Sequence, residues 1–243
     1  TATSFHNCIY LCVEIIGRVR YYNTVRLKER QVFTMKAIRK ALFVLIFATI
    51  LLTAALIPVS AASYGNTSSY TVVSGDSMWK IAVRYEIGVS EIISANPQIK
   101  NPNLIYPGDV LNIPSIDASV LAYEEEVLRL VNVERAKYGL SALKVNWELS
   151  RVARYKSQDM CDNNYFSHTS PTYGSPFAMI KNFGISYRTA GENIAMGYQT
   201  PAAVVQGWMN SSGHRANILN SSFTQIGVGY VADGNYWTQM FIG

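Results

Sequence analysis

Between Tyr165 and Leu219 the chain reads YFSH (165–168), GENIA (191–195) and GHRANIL (213–219), and this stretch decides what the C-terminal half of the molecule is. Of the three histidines in 243 residues, His168 and His214 both fall here, with Glu192 between them in sequence. Two imidazoles and a carboxylate are the parts of a metal site or of an acid/base site. An imidazole changes charge near neutral pH, and its nitrogen lone pair can bind a cation. The same three residues could equally be polar groups hydrogen-bonded inside a fold, since clustered titratable groups also arise for structural reasons.

Outward from this stretch the hydrophobic period indicates helices on both sides and strands at the end. Residues 124–138 predict a helix buried through Val127, Leu130 and Val131, with Lys137 in its last turn and Gly139 after it. The three glutamates 124–126 are read as a solvated face and as N-terminal charge against the helix dipole. A second helix, 147–161, carries Leu149, Val152, Ala153 and Met160 at helical spacing. Thr200-Pro201 opens a third, with Val204, Val205 and Trp208 on its inner face. IGVGYV (226–231) and YWTQMFI (236–242) read as two strands joined at Asp233-Gly234, and GENIA as one more. Residues 121–243 are therefore expected to form an α/β/α three-layer sandwich. Arg215 and Asn217 are read as structural. Cys161 has no neighbouring histidine in sequence and lacks the electropositive setting a reactive thiol needs.

Residues 70–114 predict a separate, small βααβ unit, so the fold class is α+β. YTVV (70–73) is a strand, Ser74-Gly75-Asp76 a turn in which Asp76 caps the helix from Ser77, and Met78, Ile81, Ala82 and Tyr85 form that helix's apolar face. A second helix over 90–95 turns Ile92 and Ile93 inward and stops at Asn96-Pro97. VLNIP (110–114) is the closing strand. Residues 63–69 are a linker and 115–120 a spacer.

The net charge of +5 misleads, because residues 1–62 hold eight Lys and Arg against two Glu. The remainder is close to neutral, without the basic face that a nucleic-acid partner requires. From Met35 the chain reads MKAIRK, then an apolar run from Ala41 to Ile57, then VSAA (59–62). That pattern predicts a signal peptide over 35–62 with cleavage after Ala62, or a membrane anchor if the segment is retained. Residues 1–34 lack an initiator methionine and any sustained period, and are read as translated upstream sequence. After such cleavage Cys161 is the one cysteine left, so the exported portion must be held by its core and not by an internal disulfide.

The wording of both halves adds resemblances. YTVVSGDSMWKIA and NPNLIYPGDVLNIP resemble the two ends of a LysM module. The likeness implies recognition of an N-acetylglucosamine glycan, such as peptidoglycan, in a shallow groove between two loops. The positions carried over are Gly75, Asp76, Ser77 and Met78 on one loop and Ile99, Asn103, Leu104 and Ile105 on the other. VNVERAKYGL (131–140), ARYKSQDM, YFSH, GENIA, GHRANIL and FTQIGVGY are similar to the bacterial branch of the CAP superfamily, whose members are SCP-like extracellular domains. That resemblance implies a central cleft, lined here by His168, Glu192 and His214, which in some members holds zinc or magnesium. Better-known animal and plant members have a second glutamate where this chain has Ser211, and their second histidine directly precedes a TQ-type strand, where this chain has Ser222. Their disulfides are absent too.

Together the two resemblances imply a secreted, cell-wall or spore-surface protein that binds peptidoglycan or another N-acetylglucosamine glycan. Its cleft would take a ligand, a metal or a partner, wall and spore-coat proteins among the candidates, with no cofactor required, no nucleic acid, and membrane contact only through a retained signal segment. The alternative is a metal-dependent hydrolase, with His168 and His214 as zinc ligands and Glu192 as base. The missing second acidic residue and the lack of a serine or cysteine triad in the motifs favour binding.

Overall fold

The computed structural model describes Tyr64 and residues 66–243, so the expected signal peptide and the stretch before it lie outside the described residues. Among the described residues no helix is long and apolar enough to cross a membrane.

The N-terminal module is β1 (Asn66–Thr71), α1 (Met78–Arg84), α2 (Val89–Ala95) and β2 (Val110–Ser115). The strands pair antiparallel, Asn66 opposite Ser115 and Thr71 opposite Val110. β1 therefore begins four residues before the expected Tyr70, inside the expected linker, because β2 is long enough to pair with it. Val72, Met78, Ile81, Ala82, Ile92, Leu111 and Ile113 form the core, while Ile93 and Tyr85, both expected inward, are exposed. The cap of α1 is Ser77, whose hydroxyl accepts from Lys80 N, and not Asp76. Asp76 instead closes the preceding turn, accepting from Val73 N at 3.1 Å, the Tyr70 hydroxyl at 2.5 Å and Arg84 Nη2 at 3.1 Å.

The C-terminal domain comprises α3 (Ala118–Lys137), β3 (Lys144–Val145), α4 (Trp147–Asp162), α5 (Pro176–Asn182), β4 (Ala190–Met196), α6 (Pro201–Asn210), α7 (Ser212–Ile218), β5 (Gln225–Val231) and β6 (Tyr236–Ile242). The sheet order is β3-β5-β6-β4, parallel between β3 and β5 and antiparallel elsewhere. Alternation along β6 sends Trp237 and Phe241 into one layer with Val127, Val131, Val204 and Trp208. Met240 and Ile242 go to the other, with Leu149, Val152, Met179 and Ile180. These are the expected three layers. Two glycines in IGVGYV set the spacing of one of them: a Cβ at Gly227 or Gly229 would lie 2.2 Å from the carbonyl carbon of Leu149 or Ala153, so α4 rests its backbone on β5.

The largest departure from expectation is the start of α3. Asp117 caps it by accepting from Ser119 N, so the helix begins at Ala118, six residues before the expected Glu124. The glutamates consequently sit in the second turn, and Glu124 is buried where a solvated face was expected. Its carboxylate accepts from Arg154 Nε at 2.9 Å and Nη2 at 2.5 Å, and from Tyr230 N at 3.1 Å. Burial drives the Glu124 carboxyl up, while the Arg154 guanidinium acts against that shift.

With β2 ending at Ser115 and Asp117 already a cap, the expected spacer contracts to almost nothing. The joint is then closed by charge. Buried Glu91 of α2 accepts from Arg151 Nη2 of α4 at 2.9 Å and from Arg151 Nε, and Ser90 Oγ accepts from the same guanidinium at 2.9 Å. Arg151 also lies over the Tyr155 and Phe183 rings, 5.3 and 5.0 Å from their centroids. Beside this joint is a cavity of about 300 Å³, lined from both modules by Tyr85, Ile87, Ile113, Leu121, Trp147 and Arg154 among others.

Candidate functional site

The GENIA segment is β4, the edge strand of the sheet, and successive residues on a strand point to opposite faces. Glu192 and Asn193 therefore serve two different layers, and the sequence-predicted residues assemble around this edge from both sides.

On the Glu192 side stands His168. Its Nδ1 lies 2.7 Å from Glu192 Oε1, with the imidazole half exposed and the carboxylate buried. In the neutral ring this contact places the proton on Nδ1 and leaves the lone pair on Nε2. The hydrogen bond to Glu192 raises the His168 pKa above its ordinary value, against the opposing effect of burial. Glu192 Oε2 is buried and has no hydrogen-bond partner among the described residues.

The loop that carries His168 is held by two residues of α4 that sequence reasoning missed. Lys156, fully buried, donates to the carbonyls of Ser167 at 2.7 Å and His168 at 3.1 Å and to the Tyr165 hydroxyl at 3.0 Å. Burial lowers its pKa, while Glu192 and Asp159 raise it. Asp159 accepts from the hydroxyls of Ser170 at 2.6 Å, Thr172 at 2.5 Å and Tyr165, and from Asn163 Nδ2 at 2.8 Å. The available signal was positional: Lys156 and Asp159 share the helical face of Val152 and Ala153, so a charged pair sits in a buried stripe.

On the Asn193 side the same strand holds α7. Asn193 Nδ2 donates to the His214 carbonyl and to Gln239 Oε1, both at 3.1 Å. Asn217 Nδ2 donates to Asn193 Oδ1 at 2.9 Å and to the Glu192 carbonyl at 3.1 Å. Trp208 Nε1 donates to the Ile194 carbonyl at 3.2 Å. Two carbonyls of the edge strand are thus covered by side chains, which blocks pairing with another chain. Asn217 is structural, as expected. Arg215 is exposed and makes no side-chain hydrogen bond among the described residues, so the structural role expected for it is not seen. Burial and the nearby charge of His168 both lower the His214 pKa, so the two imidazoles are close enough to interact.

The structure therefore brings His168 and Glu192 into direct contact and ties the His214 backbone to the neighbouring Asn193. Among the described residues no three His, Cys, Asp or Glu side chains are placed to hold one metal ion. With Glu192 bonded to His168 Nδ1, the ring nitrogen of His168 left for a metal or a hydrogen-bond donor is Nε2. Ser211 lies at the junction of α6 and α7 and supplies backbone bonds: its N–H donates to the Trp208 carbonyl, and its own carbonyl accepts from Arg215 N. The thiol of Cys161 points to the Asp233 carbonyl at 3.6 Å, and burial with Asp233 and Asp162 raises its pKa, which suits an inert thiol.

In the N-terminal module the expected glycan-contact residues divide. Gly75, Ser77, Asn103 and Leu104 are exposed and Asp76 is half-buried, whereas Ile99 and Ile105 are partly buried against the core. Met78 is a correction: it is a core residue, only 5% exposed, because its helical position faces Ile81 and Ala82 inward.

Residues 70–114 match the LysM domain, and residues 128–241 match CAP, the cysteine-rich secretory protein family. The chain carries a LysM module followed by a CAP domain. It is similar to the uncharacterized protein YkwD of Bacillus subtilis (strain 168), 64% identical over 129 residues that make up 53% of this chain and 50% of that protein. A second relative is the secreted LysM effector ECP6 of Passalora fulva, 36% identical over 62 residues, or 26% of this chain and 27% of that one. Among solved structures it resembles an extracellular protein containing a SCP domain from Bacillus anthracis str. Ames, at 35% identity and TM-score 0.49, covering 56% of this chain and 47% of that one. The chain spans about half the length of YkwD.

Proposed function

We propose that the protein is exported to the cell wall, where its LysM module binds the N-acetylglucosamine glycan of peptidoglycan and its CAP domain presents the His168–Glu192 pair to a ligand or partner. The match of residues 70–114 to LysM supports the wall-binding part. For the CAP domain the carrying observation is the 2.7 Å contact between His168 Nδ1 and Glu192 Oε1. It fixes one tautomer and leaves Nε2 of a half-exposed ring available to a hydroxyl or amide donor.

The same contact favours a second reading, in which His168 acts as a base on a wall bond with Glu192 orienting it. Purified protein incubated with peptidoglycan separates the two. The binding reading expects sedimentation with the wall and no soluble fragments. Fragments that disappear in Glu192→Ala would defeat it. The setting we propose is wall or spore assembly, read by following tagged protein in growing cells and in spores; diffuse culture supernatant without wall association would refute it.

A further inference from the structure

Of the candidate glycan-contact residues, Met78 is buried and Ile99 and Ile105 pack against the core, which leaves the expected groove short of apolar surface. The most exposed aromatic side chains of the module lie outside that set, Trp79 at 66% and Tyr106 at 57%, ahead of Tyr85 at 38%. A single exposed apolar side chain is ordinary on a protein surface, but two of the most exposed aromatics of the module standing at the two ends of one loop are a candidate contact surface.

Both stand on braced backbone, and both bracket the first loop, 73–77. Tyr106 opens the turn Tyr106-Pro107-Gly108-Asp109, in which Asp109 N donates to the Tyr106 carbonyl at 3.0 Å and Tyr106 N donates to Asp109 Oδ2 at 2.8 Å. Proline second and a glycine at φ 98° third make this a type II turn. The turn is tied to the start of the first loop, since Gly108 N donates to the Val72 carbonyl and Val72 N to the Asp109 carbonyl, each at 2.9 Å. Trp79 stands at the other end of the loop, in the first turn of α1, where Ser77 Oγ accepts from Lys80 N at 3.2 Å and Lys80 Nζ donates to the Gly75 carbonyl at 2.7 Å. The loop itself is braced by Asp76 through Val73 N, Tyr70 and Arg84.

We infer that Trp79 and Tyr106 form a stacking platform for the apolar faces of successive pyranose rings, with the backbone of the first loop bonding the sugar's polar edge. The inference rests on the glycan-binding reading above. A pyranose in a β-linked N-acetylglucosamine chain presents C–H groups on its flat faces, and an aromatic ring covers them with large apolar area while losing little rotamer freedom. Because both rings sit on braced backbone, binding needs little further ordering. Gly75 and Gly108 leave open space beside them, with no atom within 4 Å of a Cβ built at either.

The test titrates the purified protein with chitopentaose by calorimetry and follows tryptophan quenching by acrylamide. Trp208 and Trp237 are buried, so quenching reports chiefly on Trp79 and on the half-buried Trp147. The expected result is that Trp79→Ala and Tyr106→Ala each weaken binding roughly tenfold, the loss of one well-packed aromatic contact. Trp79→Phe and Tyr106→Phe should retain most of the affinity, and ligand should shield the exposed tryptophan from acrylamide. Matching circular dichroism and melting temperature show that the alanine variants are folded; should either unfold, the phenylalanine variants and the quenching decide. Wild-type affinity in the alanine variants and no shielding of Trp79 from acrylamide in the parent protein, with affinity lost in Asn103→Ala, would overturn the platform and leave glycan binding standing. Failure of the wild-type protein to bind chitopentaose or peptidoglycan at millimolar concentration would overturn both.

Discussion

Replacing Lys156 by methionine tests whether α4 builds the site. The variant keeps the length and apolar stem of the side chain and removes its ammonium, so the donors to Ser167 O, His168 O and Tyr165 Oη vanish without leaving a large cavity. Each buried acceptor left without a donor costs about 1–3 kcal/mol. Against this, a desolvated cation is eliminated, and its unfavourable burial is the reason its pKa is lowered. That relief is partial, because the cation also faces Glu192 and Asp159, which would then stand with less compensating charge. The acceptor losses dominate, and the net expectation is a destabilisation of about 2–4 kcal/mol. For a unit of this size that is a fall in Tm of roughly 4–16 °C. Urea unfolding followed by circular dichroism measures the first quantity. Nitrogen-15 spectra of the imidazoles should show the His168–Glu192 contact weakened, which lowers the His168 pKa against the rise that comes from losing the nearby Lys156 charge. A loss below about 0.5 kcal/mol together with an intact His168–Glu192 hydrogen bond in those spectra would refute the claim that Lys156 holds the loop.

Three further outcomes follow from the same geometry. Glu124→Ala strands a buried guanidinium and should cost about 3–5 kcal/mol, whereas Glu124→Leu with Arg154→Met should come within roughly 1 kcal/mol of the parent, as read by urea melts; equal losses in both would contradict it. In an NMR titration His168 should protonate at higher pH than His214, and Glu192→Gln should lower the His168 value. By linkage, the raised His168 contributes stability that is complete below its unfolded value of about 6.5 and is lost as pH rises through its folded pKa. The lowered His214 does the opposite, its contribution improving as pH rises through its folded pKa toward about 6.5, and coincident titrations of the two rings would sink the assignment. Gly229→Ala would drive a methyl group to within 2.2 Å of the α4 backbone and should cost at least about 1–3 kcal/mol through forced separation of helix and strand; a melting curve equal to the parent's would disprove that close approach.

The three layers were legible because helical and strand periods are local, and Pro201, Gly139 and Asp233-Gly234 punctuate them. What the sequence hid was long-range. Glu124 reads as one of three solvated carboxylates until α4 supplies Arg154, thirty residues away, as its partner. The early start of α3 turns on a single cap, Asp117, that lies outside the apolar stripe used to find the helix. His168, Glu192 and His214 were legible as a cluster, but that β4 is an edge strand, with Asn193 bonded to the His214 carbonyl on one side and Glu192 to His168 on the other, is long-range information that only sheet order reveals. In the small module the helical spacing put Met78 on the apolar face of α1, and its side chain is buried there, in the core and not on the surface.

The Glu91–Arg151 joint bears on how far the CAP site can travel. A tethered domain on a flexible linker samples a sphere whose radius grows with linker length, and any target inside it is met at some effective concentration. Here the connection is a strand end and a helix cap, and a buried ion pair stapled by Ser90 fixes the second point of contact. With two points fixed, the swing left to the CAP domain is small. A LysM module seated on one glycan strand would hold His168 at a set height and azimuth over that strand, so the pair would address neighbouring wall components by position as much as by affinity.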